Sequence, residues 1–367
     1  MKYLQEYRDP ERAESLLKRI RQTAQRRWVI MEVCGGQTHS LLKYGLDTAL
    51  EEVVELLHGP GCPVCVTPPS VIDHAQEIAQ RPGTVLCSFG DMLRVPGSNS
   101  TMLQAKARGG QVQIVYSPLD AIELAGRHPQ KEVVFLGVGF ETTAPATALA
   151  VLQAQARGLT NFSLLAHHVR VQPAMEAILQ EPACRVQAFL AAGHVCTVMG
   201  YDCYSELVTK YHVPVVVTGF EPVDLLTGIL QCVEQLEAGR TRVANAYARS
   251  VCAPGNLRAQ ALIEQVYEVF EQEWRGLGQI PESGYRLRET WAAWDAHKRY
   301  PRIKIQACEA GQCRAGDVLA GRIKPTDCAA FGKGCTPETP LGAPMVSSEG
   351  ACAAYYRYRL PLVESAA

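Results

Sequence analysis

Two thiols, Cys62 and Cys65, stand in the stretch Leu57-His-Gly-Pro-Gly-Cys-Pro-Val-Cys-Val-Thr-Pro-Pro69. A CxxC pair can carry two electrons as a dithiol or supply two ligands to a metal. In a chain without a secretory signal those uses outrank a structural bridge. Glycine and proline crowd the first thiol, and Thr67, Pro68 and Pro69 follow the second. Thr is a good N-cap and Pro suits the first helical position, and Ser70–Ala79 reads as an amphipathic helix. The pair is therefore expected in a tight loop ahead of a helix N-terminus, where free N–H groups and the helix dipole favour thiolate.

Cys34 is the second candidate. It follows an apolar run and precedes Gly35 and Gly36, in Cys34-Gly-Gly-Gln-Thr-His39. Its sulfur is expected at the carboxyl edge of a sheet near a helix N-terminus, as a low-pKa thiolate that acts as nucleophile or soft metal ligand. The competing reading is a small buried hydrophobe. His39 reads as a base or supporting group for that sulfur, or as a helix cap. Glu141, beside Thr142 and Thr143, reads as a ligand-holding carboxylate or as part of a capping network before Pro145.

The tail holds Cys308, Cys313, Cys328, Cys335 and Cys352 among glycine-rich turns. So small and loop-rich a module needs a staple, because its apolar core is thin. Zinc in all-cysteine sites usually takes two closely spaced pairs of ligands. The intervals after Cys313 are fourteen, six and sixteen residues, which fit zinc poorly and an iron–sulfur cluster better. Five cysteines leave one spare, and spacing leaves open whether it is Cys308 or Cys313.

The elements that must position these residues share one grammar: an apolar strand, a Gly- or Pro-marked loop, then a helix. Strands are expected at Trp28–Val33, Val53–Leu57, Thr84–Ser88, Val112–Tyr116, Glu132–Gly137, Phe162–Ala166, Val186–Ala191 and Val213–Thr218. Most are β-branched and apolar, as in parallel sheets covered on both faces by βαβ crossovers. A weak repeat at an offset of 103 to 105 residues pairs Gly35-Gly-Gln-Thr38 with Gly139-Phe-Glu-Thr142 and Ser117-Pro-Leu-Asp120 with Glu221-Pro-Val-Asp224. The expected fold is α/β: two related parallel-sheet domains of βα units at 27–128 and 129–245, plus a small Cys-rich, mainly helical and loop domain. The alternative is a single eight-stranded sheet. Residues 1–26 are expected to form a helix packed with the C-terminal module. Val243–Arg299 reads as mostly helical, with Leu257–Trp274 one helix ended by Gly276-Leu-Gly-Gln-Ile-Pro281, and 246–367 is assigned to the C-terminal part. Ligands of such sheets bind beyond the carboxyl ends of the strands, where Cys34, the CxxC loop, Glu141, His167-His168 and Gly193-His194 all fall.

Composition narrows the class. The chain has 367 residues, 36 Lys and Arg against 37 Asp and Glu, and 14 cysteines. That balance points to neither nucleic acid nor an anionic membrane. No apolar run reaches spanning length, and the start lacks the apolar core of a signal peptide, so a cytoplasmic protein is expected. Reduced surroundings rule out a disulfide scaffold and leave metal or redox use for some of the thiols.

Taken together, Met31-Glu-Val-Cys-Gly-Gly-Gln-Thr-His39, Gly59-Pro-Gly-Cys-Pro-Val-Cys-Val-Thr-Pro68 and Ser88-Phe-Gly-Asp-Met-Leu-Arg-Val-Pro-Gly97 resemble the HypD family of hydrogenase maturation factors. So do Gly139-Phe-Glu-Thr-Thr-Ala-Pro145, Gly219-Phe-Glu-Pro222 and Cys328-x6-Cys335-x16-Cys352. The resemblance runs from about Arg27 to Tyr358. It implies a scaffold on which the Fe(CN)2CO unit of [NiFe]-hydrogenase is assembled with a HypC-type small chaperone, HypE delivering cyanide from its C-terminal thiocyanate. It also implies that Cys34 ligates the iron with a cysteine of HypC and that Cys62 and Cys65 are a redox-active pair. Finally it selects Cys313, Cys328, Cys335 and Cys352 for a [4Fe-4S] cluster and makes Cys308 the spare. The chemistry is consistent, since freeing cyanide from a thiocyanate takes two electrons and a dithiol carries two. A thiol–disulfide oxidoreductase using Cys62 and Cys65 with an iron–sulfur donor is the rival reading, and a structural zinc protein the third. The cluster is expected near the CxxC loop, on the Cys34 side of a cleft.

Overall fold

The computed structural model describes residues 5–302 and 312–359; Cys308 lies outside the described residues. The eight expected strands are present as β1 (Trp28–Glu32), β2 (Val54–His58), β3 (Thr84–Ser88), β4 (Val112–Ile114), β5 (Glu132–Gly139), β6 (Phe162–Val169), β7 (Ala188–Ala192) and β8 (Val215–Thr218). Three more follow: β9 (Val243–Asn245), β10 (Tyr267–Trp274) and β11 (Gly278–Leu287). Every residue of β3, β6, β7 and β8 is buried, as the unbroken apolar runs require of strands with helices on both faces.

The strands form two sheets, in the orders β2-β1-β7-β8-β9 and β10-β11-β6-β5-β3-β4. Neither sheet is drawn from one half of the chain, so the expected division between 27–128 and 129–245 does not separate the sheets. The first half gives β1 and β2 to one sheet and β3 and β4 to the other; the second gives β5 and β6 to one and β7, β8 and β9 to the other. Matched through the repeat, β2-β1-β7-β8 and β6-β5-β3-β4 have the same order, so the repeat shows in the topology as two similar sheets that exchange halves. Short-range patterning sets which segments become strands; packing over more than a hundred residues decides which sheet receives them.

Two further expectations are corrected. The helix Pro10–Thr23, capped by Asp9, packs against the helix Pro222–Glu237 of the first sheet, with Ile20 wholly buried in that core. Among the described residues its main packing is therefore on the first sheet and not on the C-terminal module. The helical reading of Leu257–Trp274 holds for Leu257–Val266 only; β10 and β11 form an antiparallel hairpin that extends the second sheet next to β6. The register shifts between Phe270 and Gln272. The buried residues of β10 are Tyr267, Gln272 and Trp274, so the bulge moves the buried face from odd to even positions, while the three- and four-residue spacing of Tyr267, Phe270 and Trp274 imitates a helical stripe. Gly276 and Gly278 take φ of 74° and 77° at the turn, a left-handed backbone that suits glycine.

The hairpin turn also seats the C-terminal module. A Cβ on Gly276 would stand 2.5 Å from Gly316 Cα, so the two backbones touch. The module consists of short turns between the helices Ala315–Leu319 and Ala351–Arg359. The second of these packs on the helix Gly35–Lys43 through Leu42, Ala354 and Tyr355.

Candidate functional site

The order of the first sheet reverses between β1 and β7, and Cys34 leaves the carboxyl end of β1 at that switch point, the usual ligand position in such sheets. Cys34 is the N-cap of the helix Gly35–Lys43 and is 2% exposed. Its glycine neighbours are dictated by crowding. A Cβ on Gly61 would lie 2.2 Å from Cys34 N, and one on Gly35 2.5 Å from the Glu349 carbonyl oxygen. Gly35 N–H donates to the Gly61 carbonyl at 3.0 Å. The CxxC loop, the Cys34 turn and a segment of the C-terminal module therefore meet backbone to backbone.

His194, at the carboxyl end of β7, places Nδ1 3.6 Å from Cys34 Sγ. Phe220, beyond β8, packs over Gly36 and beside the His194 ring, with centroids 5.4 Å apart. Burial pushes the Cys34 thiol far above its ordinary range, with Glu32 and Glu349 adding to the rise. Burial likewise pushes His194 down to about 4. The expected thiolate is corrected for the protein by itself: desolvation outweighs the helix terminus, and a neutral thiol faces a neutral imidazole.

Beneath Cys34 lies a wholly buried carboxylate. Glu32 Oε2 accepts the Cys34 N–H at 2.8 Å, and Oε1 meets the Thr38 hydroxyl and, at 2.7 Å, His58 Nδ1. His58 Nε2 lies 3.2 Å from the Tyr355 hydroxyl.

Cys62 and Cys65 form a disulfide with Cα atoms 5.2 Å apart. Cys62 is the N-cap of the short helix Pro63–Val66, and its Sγ accepts the Cys65 N–H at 3.2 Å. Arg275 of the hairpin clamps the end of this segment, donating from N to Val66 O at 2.8 Å and from Nε to Thr67 O at 2.6 Å.

Cys313, Cys328, Cys335 and Cys352 line one cavity, with about 370 Å3 of atom-free space including its mouth. Its walls are apolar, among them Val318, Phe331, Leu341 and Met345. Burial raises the Cys313 and Cys352 thiols, and the neighbouring thiols raise them further. Leu341 N–H points at Cys335 Sγ at 3.4 Å, and a Cβ on Gly342 would stand 2.2 Å from Cys313 Sγ. Among the described residues no three His, Cys, Asp or Glu groups stand together as a site for a single metal ion. The cavity and the disulfide share a wall: Pro344 and Met345 line the cavity, while Ala343 and Val346 belong to the core on which Val64 packs.

Two expected residues stand elsewhere. His39 Nε2 pairs with the Tyr358 hydroxyl at 3.2 Å; the histidine beside Cys34 is His194. Glu141 is buried, and its Oε1 accepts the Val171 N–H at 2.9 Å at the start of the helix Val171–Gln180. Burial raises its carboxyl to about 7, and among the described residues its Oε2 has no partner. Glu141 thus bonds the first turn of the helix Val171–Gln180 and not the helix that Pro145 opens, where the capping reading put it, and its neighbour Phe140 shares a core with Cys34. Sequence reasoning placed Gly193-His194 at the sheet edge but gave it no role. Glu32 and Phe220 lie within motifs quoted for the resemblance but were given no role of their own, and Arg275 carried no signal, since their contacts are made only by the folded chain.

Fold and site define an α/β scaffold that gathers thiols at one sheet edge and carries a cysteine-lined appendage. The family described as HypD, hydrogenase formation hypA family, matches residues 11–359. The chain is 49% identical over 370 residues to the hydrogenase maturation factor HypD of Rhodobacter capsulatus and 47% identical over 367 residues to that of Escherichia coli K12, each alignment covering 98% of both chains. It is 46% identical to that of Azotobacter vinelandii, over 98% of this chain and 97% of the relative. The chain belongs to the HypD family.

Proposed function

We propose that the chain acts in [NiFe]-hydrogenase maturation as the scaffold on which the Fe(CN)2CO unit is assembled. Cys34 grips the iron jointly with a cysteine of a HypC-type chaperone, and a HypE-type partner delivers cyanide. The observation that carries this reading is the convergence on one buried sulfur of a neutral histidine and the backbone of a CxxC loop. A cation entering beside Cys34 displaces the thiol proton, because a coordinating thiol is deprotonated outright. His194 Nδ1, 3.6 Å away, is placed to take that proton. Until then the pair is neutral, and the sulfur is shielded from oxidants.

The thiocyanate step balances on this chain's own residues. Reduced Cys62 and Cys65 give up two electrons and two protons and close their disulfide. The partner's S–C bond breaks, one proton returns to its sulfur, and the other leaves with the cyanide, whose carbon then binds iron. The four-thiol cavity suits a [4Fe-4S] cluster held by Cys313, Cys328, Cys335 and Cys352, since its sulfurs surround a space instead of converging on a single ion. Bound there, such a cluster would supply electrons one at a time. The shared wall around Ala343–Met345 keeps this cavity next to the disulfide.

Neither nucleic acid nor membrane enters this reading. The formal net charge is −1, and no helix among the described residues is long and apolar enough to cross a membrane. We place the work in the cytoplasm.

Infrared spectroscopy and iron analysis of the anaerobically purified complex with the small chaperone test the proposal. Cyanide and carbonyl bands are expected from the wild type, and Cys34→Ala is expected to lose both bands and iron. Bands that persist in Cys34→Ala would leave the Cys62–Cys65 oxidoreductase reading in possession.

A further inference from the structure

A buried polar chain joins the two sulfur centres, and neither the fold nor the scaffold role requires it. It starts at Tyr355, which stands one helical turn beyond Cys352 on the helix Ala351–Arg359. The Tyr355 hydroxyl lies 3.2 Å from His58 Nε2, His58 Nδ1 2.7 Å from Glu32 Oε1, and Glu32 Oε2 2.8 Å from the Cys34 nitrogen. The Cys34 N–H donates to the carboxylate, and the His58 ring bridges the carboxylate and the Tyr355 hydroxyl through its two nitrogens. Glu32 is 0% exposed, His58 3% and Tyr355 5%.

A buried carboxylate is costly unless its lone pairs are filled. Here the Thr38 hydroxyl, the Cys34 N–H and His58 fill them. Once satisfied, such a network is stiff, because each lost bond leaves a buried group unpaired. The His58 and Tyr355 rings also meet edge-on, with centroids 5.3 Å apart. Displacing the Cys352 helix therefore carries the Tyr355 hydroxyl, then the His58 ring, then the carboxylate on which the Cys34 turn rests.

We propose that Tyr355, His58 and Glu32 are positioning residues through which occupancy of the four-thiol cavity sets how readily the Cys34 turn opens. The inference rests on the reading that this cavity binds a cluster. Cys34 is covered by Phe220, His194 and the Gly61 backbone, so iron reaches it only when the turn opens. A cluster that draws Cys352 toward the other three thiols fixes the register of its helix, and the chain passes that fixed position to Cys34. The helix also packs directly on Gly35–Lys43 through Leu42 and Ala354. Tyr355→Phe keeps that packing and removes only the hydroxyl, which separates the two routes.

The test uses the full chain under anaerobic conditions, either reconstituted with iron and sulfide or stripped by a chelator. Iodoacetamide labelling of Cys34 is followed by mass spectrometry of its peptide, with Cys232, wholly buried in the core of the first sheet, as the internal gauge of global opening. In the wild type, the Cys34 rate relative to Cys232 is expected to differ roughly fivefold between the loaded and stripped forms, a modest coupling between sites. Tyr355→Phe and His58→Gln are expected to bring that ratio close to one while the visible absorbance of the loaded form is unchanged. A wild-type ratio near one in coloured protein overturns the inference alone, as does a ratio that survives in Tyr355→Phe. Wild-type protein that takes up no chromophore overturns the cluster reading and this inference with it.

Discussion

The Cys34 edge and the four-thiol cavity place sulfur in opposite ways. At the edge, the loops that follow neighbouring parallel strands are pressed together at Gly35, Gly36 and Gly61, and one thiol is fixed by neighbouring backbone. In the cavity, three thiols come from turns with little regular structure and Cys352 from the first turn of a helix, and burial together with neighbouring thiols makes Cys313 and Cys352 harder to ionise. A sheet can hold a single reactive sulfur ready in the free protein. A set of turns would need a bound metal to offset the burial and mutual repulsion of its sulfurs as thiolates. On the function proposed above, the first region would receive a guest and the second would be completed by a resident.

That contrast is broken most directly in the cavity. Cys335→Ser or Cys352→Ser is expected to abolish the brown chromophore and to cost about 5 kcal/mol or more, because metal binding at such a site is folding energy. Absorbance and urea unfolding of the anaerobic protein check it. Cys34→Ala is expected to leave both quantities near wild type. Equal losses in the two variants would mean that the regions are not different in kind.

Next in size is Gly61→Ala. The added methyl would stand 2.2 Å from Cys34 N and 2.3 Å from Cys34 Cα, backbone atoms that cannot swing aside. A cost of about 3 kcal/mol is expected from overpacking, with loss of iron uptake at Cys34 and an unchanged chromophore, as read by iron analysis and absorbance. Gly334→Ala in the cysteine-rich module, where a Cβ meets nothing within 4 Å, is the matched control and is expected to be silent.

Legibility followed the same contrast. The eight core strands and the gathering of Cys34 with the CxxC loop at the carboxyl edge were readable, because apolar runs and Gly-rich loops are local signals. The exchange of strand pairs between the sheets was not, since a βα unit looks alike in either sheet. His194 escaped because its claim rests on lying beside a sulfur 160 residues away. The ionisation of Cys34 was misjudged because a helix N-terminus is visible in sequence, whereas the depth of its burial is not. In the tail, intervals between cysteines marked the four that line the cavity only through the family resemblance.

Glu141 sharpens the comparison from the second sheet. Its carboxyl, ordinarily near 4.5, is raised by burial to about 7. The folded state therefore holds this proton more tightly than the unfolded state. The associated stability is complete below about pH 4.5 and is lost as pH rises through 7, a change of about 3 kcal/mol. Glu141→Gln keeps the acceptor for the Val171 N–H and removes the titration. Its stability relative to wild type is expected to rise between about pH 5 and about pH 8 by up to that amount. Denaturant midpoints at the two pH values decide it; parallel shifts would show that Glu141 does not titrate there.

The smallest effect tests whether the Cys34 edge owes its order to its backbone or to surface charge. Arg8 forks onto Glu221, and Arg249 onto Asp224, just beyond Phe220, which lies over Gly36. The two pairs differ in depth. Asp224 is buried, and its loss would strand the guanidinium of Arg249, whereas Arg8 is largely exposed and its bond to Glu221 competes with water. Exposed pairs contribute about 0 to 1 kcal/mol, so Arg8→Ala is expected to lower stability by less than about 1 kcal/mol and to leave Cys34 labelling unchanged relative to Cys232. If labelling of Cys34 instead rises severalfold in Arg8→Ala, the Phe220 loop is held shut from outside by the N-terminal segment. The sulfur would then be guarded by a removable contact, and its shelter could not be credited to the convergence of Gly35, Gly36 and Gly61 alone.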